Sequence, residues 1–325
     1  MTQPVVVSVG IDVSKAKVDV AWLSTDQSVS VQTFPNTPAG LEQLIHLLKQ
    51  NGTAETVPCV LESTGDYHLL GAVMLNQAGY HVNLINPLIT KQYQQSSIRQ
   101  AKSDRVDAKR LAKIGLLEAH LAVFTSTTDT IMAKKLVSLL AQLEKTYQRL
   151  QACTKQFLAT QEQLHCTIMD AATVERPLQS LQRTITTVQQ TLIQLAPAKT
   201  HALAHTIPGV SETSLAIILC GLTDKQFTNR DQLVAFVGLD VRARRSGMWQ
   251  GKERLSKRGN AFLRKVLYQI AWGLKMHHPI YQQYYQRLYH EEGKHYTTTL
   301  IAIARKFLRY LFAVYFKPMG YAQPV

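Results

Sequence analysis

Hydrophobic positions change their spacing three times along the chain, and each change predicts a different kind of element. Residues 5–24 read VVVSVGIDVSKAKVDVAWLS, two β-rich runs around a polar turn at Ser14–Lys17, which predicts a β-hairpin. Leu41, Leu44, Ile45, Leu47 and Leu48 then follow helical spacing. The apolar run 57–61, a helical stretch over 67–77 and the strand-like HVNLINP at 81–87 come next. A hairpin followed by alternating helix and strand predicts an α/β layer fold with one sheet. From Ile131 the period changes: Leu136, Leu140, Leu143, Tyr147, Leu150 and Phe157 step at three- and four-residue intervals. After a break expected near Pro177, Leu178, Leu181, Ile185, Val188, Leu192 and Leu195 continue the step until Pro197. Two long helices in an antiparallel hairpin follow from this, as a spacer or dimerisation arm. The last third opens with HTIPGVSETSLAIILCGL at 205–222, a Pro-Gly turn between helical stretches. Such a helix-hairpin-helix turn aims backbone N–H groups at a DNA phosphate.

Composition narrows the partner. The 325 residues allow two or three domains. Lys and Arg number 36 against 22 Asp and Glu, a net charge of +14 that attracts polyanions, so nucleic acid leads the partner classes. The four cysteines lie far apart, without metal-ligand or disulfide-framework spacing. No secretory signal is read at the N-terminus. The long apolar segment 300–316 is interrupted by Arg305, Lys306 and Arg309, which argues against a membrane span. A protein of the reducing cytoplasm is expected.

Acidic residues carry the first candidate chemistry. Asp12 lies near the end of the first strand, and Glu62 directly follows the apolar run before Ser63-Thr64-Gly65. A carboxylate turned inward there is costly to bury without a cation. Between Lys91 and Lys113 stand seven basic residues and two acids, Asp104 and Asp107, whose spacing puts both on one face of a helix start with Ser103 as N-cap. Four hard oxygen donors on two adjacent strands and one helix are the arrangement that binds a pair of Mg²⁺ or Mn²⁺ ions for phosphodiester chemistry. The adjacent Lys102, Arg105, Lys109 and Arg110 would hold the DNA backbone.

A second centre lies at 236–265. From Arg242 to Lys265 there are nine basic residues and one acid. Arg242, Arg244, Arg245, Lys252, Arg254, Lys257 and Arg258 are candidate phosphate contacts, and Trp249 is a candidate base-stacking side chain. Ser246 stands between Arg245 and Gly247, where guanidinium groups would stabilise a phosphate under attack by its hydroxyl.

Seven motifs in order carry a resemblance: GIDVSK at 10–15, LESTG at 61–65, INP at 85–87, SDRVDAKRLA at 103–112, IPGVSETSL at 207–215, FVGLDVRARRSG at 236–247 and LSKRGNAFLRKVLY at 255–268. Over nearly its whole length the chain resembles the DEDD transposases of bacterial insertion sequences, the insertion-sequence one-ten and eleven-eleven group. The resemblance implies α/β plus α architecture. Residues 1–125 would form a RuvC-like, RNase H-type domain with Asp12, Glu62, Asp104 and Asp107 as metal tetrad. Residues 126–199 would form coiled-coil oligomerisation helices, and 200–325 a mainly helical transposase domain whose Ser246 joins covalently to DNA. It further implies a homo-oligomer, from dimer to tetramer, that acts on double-stranded element ends and target under the guidance of a structured non-coding bridge or seeker RNA. The same tetrad without a serine would make a metal-dependent junction-resolving endonuclease. The G-I-D-x-S opening also occurs in actin-like kinases, but no second Asp-Gly phosphate hairpin accompanies it, and the basic helical C-terminal half does not suit them. A nucleic-acid packaging protein would leave Asp104 and Asp107 unexplained.

Overall fold

The computed structural model describes residues 5–63, 65–95, 104–118, 121–223, 225, 227–242, 245–246, 249–250 and 254–317. The chain divides into two compact units, Met1–Thr128 and Asp129–Val325.

In the first unit β1 (Val6–Val13), β2 (Lys17–Ser24) and β3 (Val29–Pro35) form an antiparallel meander. The expected hairpin turn is closed at Ser14, whose N–H and hydroxyl both donate to the Lys17 carbonyl at 2.9 Å. The third strand is an addition to the sequence reading. After α1 (Pro38–Gln50) the chain returns as β4 (Pro58–Glu62), parallel to β1, and after α2 (His68–Gln77) as β5 (His81–Ile85), parallel to β4. The sheet order is β3-β2-β1-β4-β5. Helices α3 (Pro87–Gln95) and α4 (Asp104–Leu117) complete the unit. Leu41, Leu44, Leu61 and Leu75 are buried on the α1/α2 side, where the Leu41 and Leu61 methyls approach Gly71. Helix α4 covers the other face. This mixed sheet with flanking helices fits an α/β RNase H-like domain.

Close packing of α4 onto the sheet depends on two small residues. A Cβ on Gly10 would collide with the backbone of Ala108, Leu111 and Ala112. One on Gly115 would collide with the side chains of Ser8 and Val60. Glycine therefore allows backbone-to-backbone contact of β1 with α4 at Gly10 and leaves room for the Ser8 and Val60 side chains at Gly115.

The second unit is helical and built on one continuous apolar core. Helix α5 (Thr128–Gln163) contributes Ala133, Val137 and Leu140, and α6 (Ala171–Leu195) contributes Ile185, Val188 and Leu192. The expected break near Pro177 does not occur there: α6 runs through it, and the connection lies at 164–170. The Asp170 carboxylate caps α6 by accepting from Thr173 N at 2.8 Å, which starts the helix upstream of the proline. Pro177 then withholds one N–H on an exposed stretch, where water can satisfy the carbonyl left over. At the connection the Gln161 side chain accepts from Ile168 N and Met169 N and donates to Met169 O.

Helices α7 (Lys199–Thr206) and α8 (Glu212–Leu222) flank the Pro-Gly turn, and α9 (Arg230–Val237) follows. Four two-residue strands come next: β6 (Val241–Arg242), β7 (Arg245–Ser246), β8 (Trp249–Gln250) and β9 (Arg254–Leu255). Helix α10 (Ala261–His277), α11 (Pro279–Gln286) with its π-helical extension Arg287–Glu291, and α12 (Tyr296–Leu311) with its own extension Phe312–Phe316 close the unit. No helix among the described residues is long and apolar enough to cross a membrane. All four cysteines are free: Cys59 and Cys220 are buried, Cys166 is half-buried and Cys153 is exposed.

Candidate active site

Strand register brings the first two acids together. The parallel ladder pairs Val9 with Cys59, Gly10 with Val60 and Ile11 with Leu61, so its next step sets Asp12 beside Glu62. Neighbours at one level of a sheet project to the same face. Gly10 faces α4, and Asp12, two residues on, shares that face. Both carboxylates are half-buried, and each has a polar interaction of its own.

The helix runs antiparallel to β1, which fixes what covers Asp12. Gly115 lies against Ser8, and Ala108 to Ala112 lie against Gly10. Two further strand residues bring the line to Asp12, while a little more than one helical turn brings it to the first turn of α4. That turn contains Asp104 and Asp107. Asp107 is half-buried and paired with the Arg110 guanidinium one turn along. The Asp104 side chain lies outside the described residues, as do Ser103 and Lys102. Among the described residues no three His, Cys, Asp or Glu side chains form a group able to hold a metal. The N-terminal turn of α4 stands at the acidic end of the sheet. Arg105 and Lys109 are exposed on α4.

The same row contains an acid that the sequence reading passed over. Asp19 lies opposite Asp12 on β2, and Thr33 lies opposite Asp19 on β3. Asp19 is almost fully buried; its carboxylate accepts from Thr33 Oγ1 at 2.5 Å and from Lys17 Nζ at 2.9 Å. Asp19, Asp12 and Glu62 therefore occupy successive strands at one level. The turn could have revealed this, since closure of Ser14 on Lys17 fixes Asp12 opposite Asp19.

In the second unit Ser246 lies on β7, paired through Arg245↔Gln250 and Ser246↔Trp249 with β8. This short ribbon is flanked by the pairs Val241↔Leu255 and Arg242↔Arg254. The side chains of Arg242, Arg245, Ser246 and Trp249 lie outside the described residues, and so do Arg244 and Lys252 altogether. Arg254, Lys257 and Arg258 are exposed.

Beneath the ribbon, the two chain ends are cross-linked. Gly238 caps α9 in the left-handed conformation, φ 79°, and its carbonyl accepts from Lys257 N at 3.1 Å. Ser256 N donates to Asp240 O at 2.9 Å, and the Ser256 hydroxyl donates to the Asp240 carboxylate. Arg264 reaches from α10 to donate to Gly259 O at 2.5 Å and Val237 O at 3.1 Å. The adjacent Lys265 bonds Glu144 of α5 at 2.7 Å. These positioning residues were not read from the sequence, because all of these bonds but the one from Arg264 to Gly259 O join positions far apart in the chain.

The Pro-Gly turn also forms as expected between α7 and α8. Gly209 has φ 86°, and a Cβ there would meet the carbonyl of Gly273 on α10. Ser211 caps α8 by accepting from Ser214 N at 3.2 Å.

A DEDD transposase model of the IS110 group matches residues 9–165, and a model described as Transposase IS116/IS110/IS902 family matches residues 201–286. Pilin gene-inverting proteins of Moraxella bovis and Moraxella lacunata are each 26% identical over 315 residues, covering 94% of this chain and 94% of theirs.

Proposed function

The chain belongs to the IS110 family of transposases, enzymes that cut and rejoin DNA, and on that premise we propose that it excises and inserts its own insertion sequence by combining a carboxylate centre with a serine nucleophile. The observation that carries the proposal is the in-register pair Asp12 and Glu62 beneath the acidic first turn of α4. Asp12, Glu62, Asp104 and Asp107 form an oxygen-only donor set suited to two Mg²⁺ or Mn²⁺ ions, and the domain is RuvC-like in this reading. When bound, the ions supply charge neutralisation at the scissile phosphate and activation of the attacking oxygen.

Ser246 attacks a phosphodiester, forming a phosphoserine ester and releasing the hydroxyl end of the cut strand. Attack by the hydroxyl of the incoming strand re-forms a phosphodiester and frees the serine, so bond energy is conserved and ATP is not consumed. The name of the two Moraxella relatives describes inversion of a gene, a rearrangement that requires breakage and rejoining without loss of DNA. The exposed cations Arg105, Lys109, Arg254, Lys257 and Arg258 hold the backbone on either side, with Lys102, Arg110, Arg242, Arg244, Arg245 and Lys252 in the same role and Trp249 against a base. A structured non-coding RNA selects the sites, and the chains act as a homo-oligomer joined through the α5–α6 hairpin. The resemblance and the net charge of +14 support the RNA partner.

The test is incubation of the protein, purified with any RNA that accompanies it, with Mg²⁺ and labelled element ends. A protein–DNA adduct that is lost in Ser246→Ala, and cleavage lost in Asp12→Asn, are expected. Metal-dependent nicks without an adduct would make it a junction-type nuclease and leave Ser246 a phosphate contact.

A further inference from the structure

Between the Pro-Gly turn and α10 lies a cavity of about 550 Å³, lined by Gly209, Ser211, Ser214, Gln269, Trp272 and His277 among others. Its size falls within the roughly 300–1,000 Å³ of small-ligand sites. Trp272 is 51% exposed, whereas its neighbours Ala271, Gly273 and Leu274 are buried. A large aromatic ring facing water beside a concave surface lacks a packing explanation in the core of this unit.

The cavity is built by direct backbone contact. Gly209 in its left-handed conformation rests on Gly273, and neither position has room for a Cβ. The turn is thereby held at fixed distance from the helix that carries Gln269, Trp272 and His277, all three exposed, with Trp272 and His277 on either side of Gly273. Gln269 offers a donor and an acceptor on one planar amide, and Ser211, Ser214 and His277 add polar groups at the margin. Among the described residues no acidic side chain lines the cavity, and the nearest acid in sequence, Glu212, is bonded to His201 at 2.8 Å. Aromatic face, planar amide and absence of negative charge in a chain of net charge +14 together fit a nucleotide better than an apolar peptide.

We propose that this cavity receives one unpaired nucleobase, stacked on the Trp272 indole with its edge hydrogen-bonded by Gln269. Paired bases are hidden within the duplex stack; strand cleavage and exchange expose them, and a ring on a concave surface captures them. The base comes from a DNA strand or from RNA, and the chemistry of stacking and edge recognition is shared by both.

The experiment measures binding of labelled oligonucleotides to the full chain without divalent metal, so a failure of the carboxylate or serine chemistry does not affect it. Substrates are a duplex with an unpaired overhang, a blunt duplex of the same length and a single strand, the unpaired part being DNA in one set and RNA in the other. Trp272→Ala is expected to weaken overhang and single-strand binding roughly 5- to 150-fold, the range for loss of one base stack. Blunt-duplex binding stays unchanged, and Trp272→Phe recovers most of the loss. Gln269→Ala is expected to flatten the preference among the four bases. In the wild-type chain, a 5-iodouracil in the overhang is expected to crosslink to the peptide bearing Trp272, and the set that responds identifies DNA or RNA as the source. Equal weakening on all substrates, or no weakening on any, would overturn the proposal. So would a Trp272→Ala chain that binds DNA and RNA normally but changes its oligomeric state, which would make this face a contact between copies.

Discussion

Replacing Gly10 by alanine should damage both folding and catalysis, for one geometric reason. The new Cβ would lie 2.9 Å from the Leu111 carbonyl carbon and closer still to Ala108 O and Ala112 N, all backbone atoms of α4 that cannot rotate away. Ordinary contact requires the helix to retreat by roughly 1 Å, and overpacking of this kind costs about 1–3 kcal/mol. For a unit of this size that corresponds to a fall in Tm of roughly 3–12 °C. The displaced helix carries Asp104 and Asp107, the proposed metal ligands, and in that reading a misplacement of about 1 Å lowers rate by ~10²-fold. Gly71→Ala is the matched control: its Cβ would meet only the Leu41 and Leu61 methyls at 3.7 Å, and α2 gains helix propensity worth about 0.5–1 kcal/mol. Thermal melting and Mg²⁺-dependent cleavage of labelled element ends would be measured on both variants. A Gly10→Ala chain that melts and cleaves like wild type refutes the β1–α4 packing argument. One that is destabilised yet fully active separates α4 from the chemistry.

The remaining predictions concern the second unit. Arg264→Met leaves the partly buried Val237 O and Gly259 O without this donor, at about 1 kcal/mol for each lost bond. It should lower both Tm and the yield of the proposed protein–DNA adduct, with Arg264→Lys recovering part of the loss; unchanged melting and adduct yield would dismiss the clamp. His278 is held below its ordinary pKa of 6.5, first by burial and then by the nearby Lys306 charge, and its Nδ1 is buried without a hydrogen-bond partner. The unfolded chain therefore takes up the proton first, so the stability associated with neutral His278 is complete above pH 6.5 and is lost as pH falls toward the folded-state value. Melting curves from pH 7.5 to 5 should show a shallower acid decline for His278→Asn than for wild type, and parallel declines would exclude His278 as the cause.

Much of the first unit was legible because local signals and tertiary needs coincide there. The turn at Ser14–Lys17 and the β-branched runs beside it specify the hairpin, and Glu62 follows an apolar run that only a central strand would bury. The strand Val29–Pro35 escaped notice because it lies at the sheet edge with several residues exposed, which dilutes its apolar pattern. Asp19 reads as one polar residue within an alternating strand, and only pairing shows it beside Asp12. Pro177 was misleading for a different reason: the Asp170 cap, seven residues upstream, starts the helix that the proline was expected to begin. Around Ser246 the basic residues were plain in the sequence, while the Asp240–Ser256 and Arg264 contacts that tie the ribbon's ends required the fold to bring distant segments together.

The distribution of cysteines gives the native chain two built-in attachment points. Burial pushes the Cys59 and Cys220 thiols up to about 12 and 11, so maleimide and iodoacetamide reagents near neutral pH meet chiefly Cys153 on α5 and Cys166 in the connection to α6. A dye or spin label therefore collects on the helical hairpin without any engineered substitution. Distances between such labels on different copies would report whether the α5–α6 segments approach one another when the protein binds DNA, in a protein whose candidate catalytic residues remain chemically untouched.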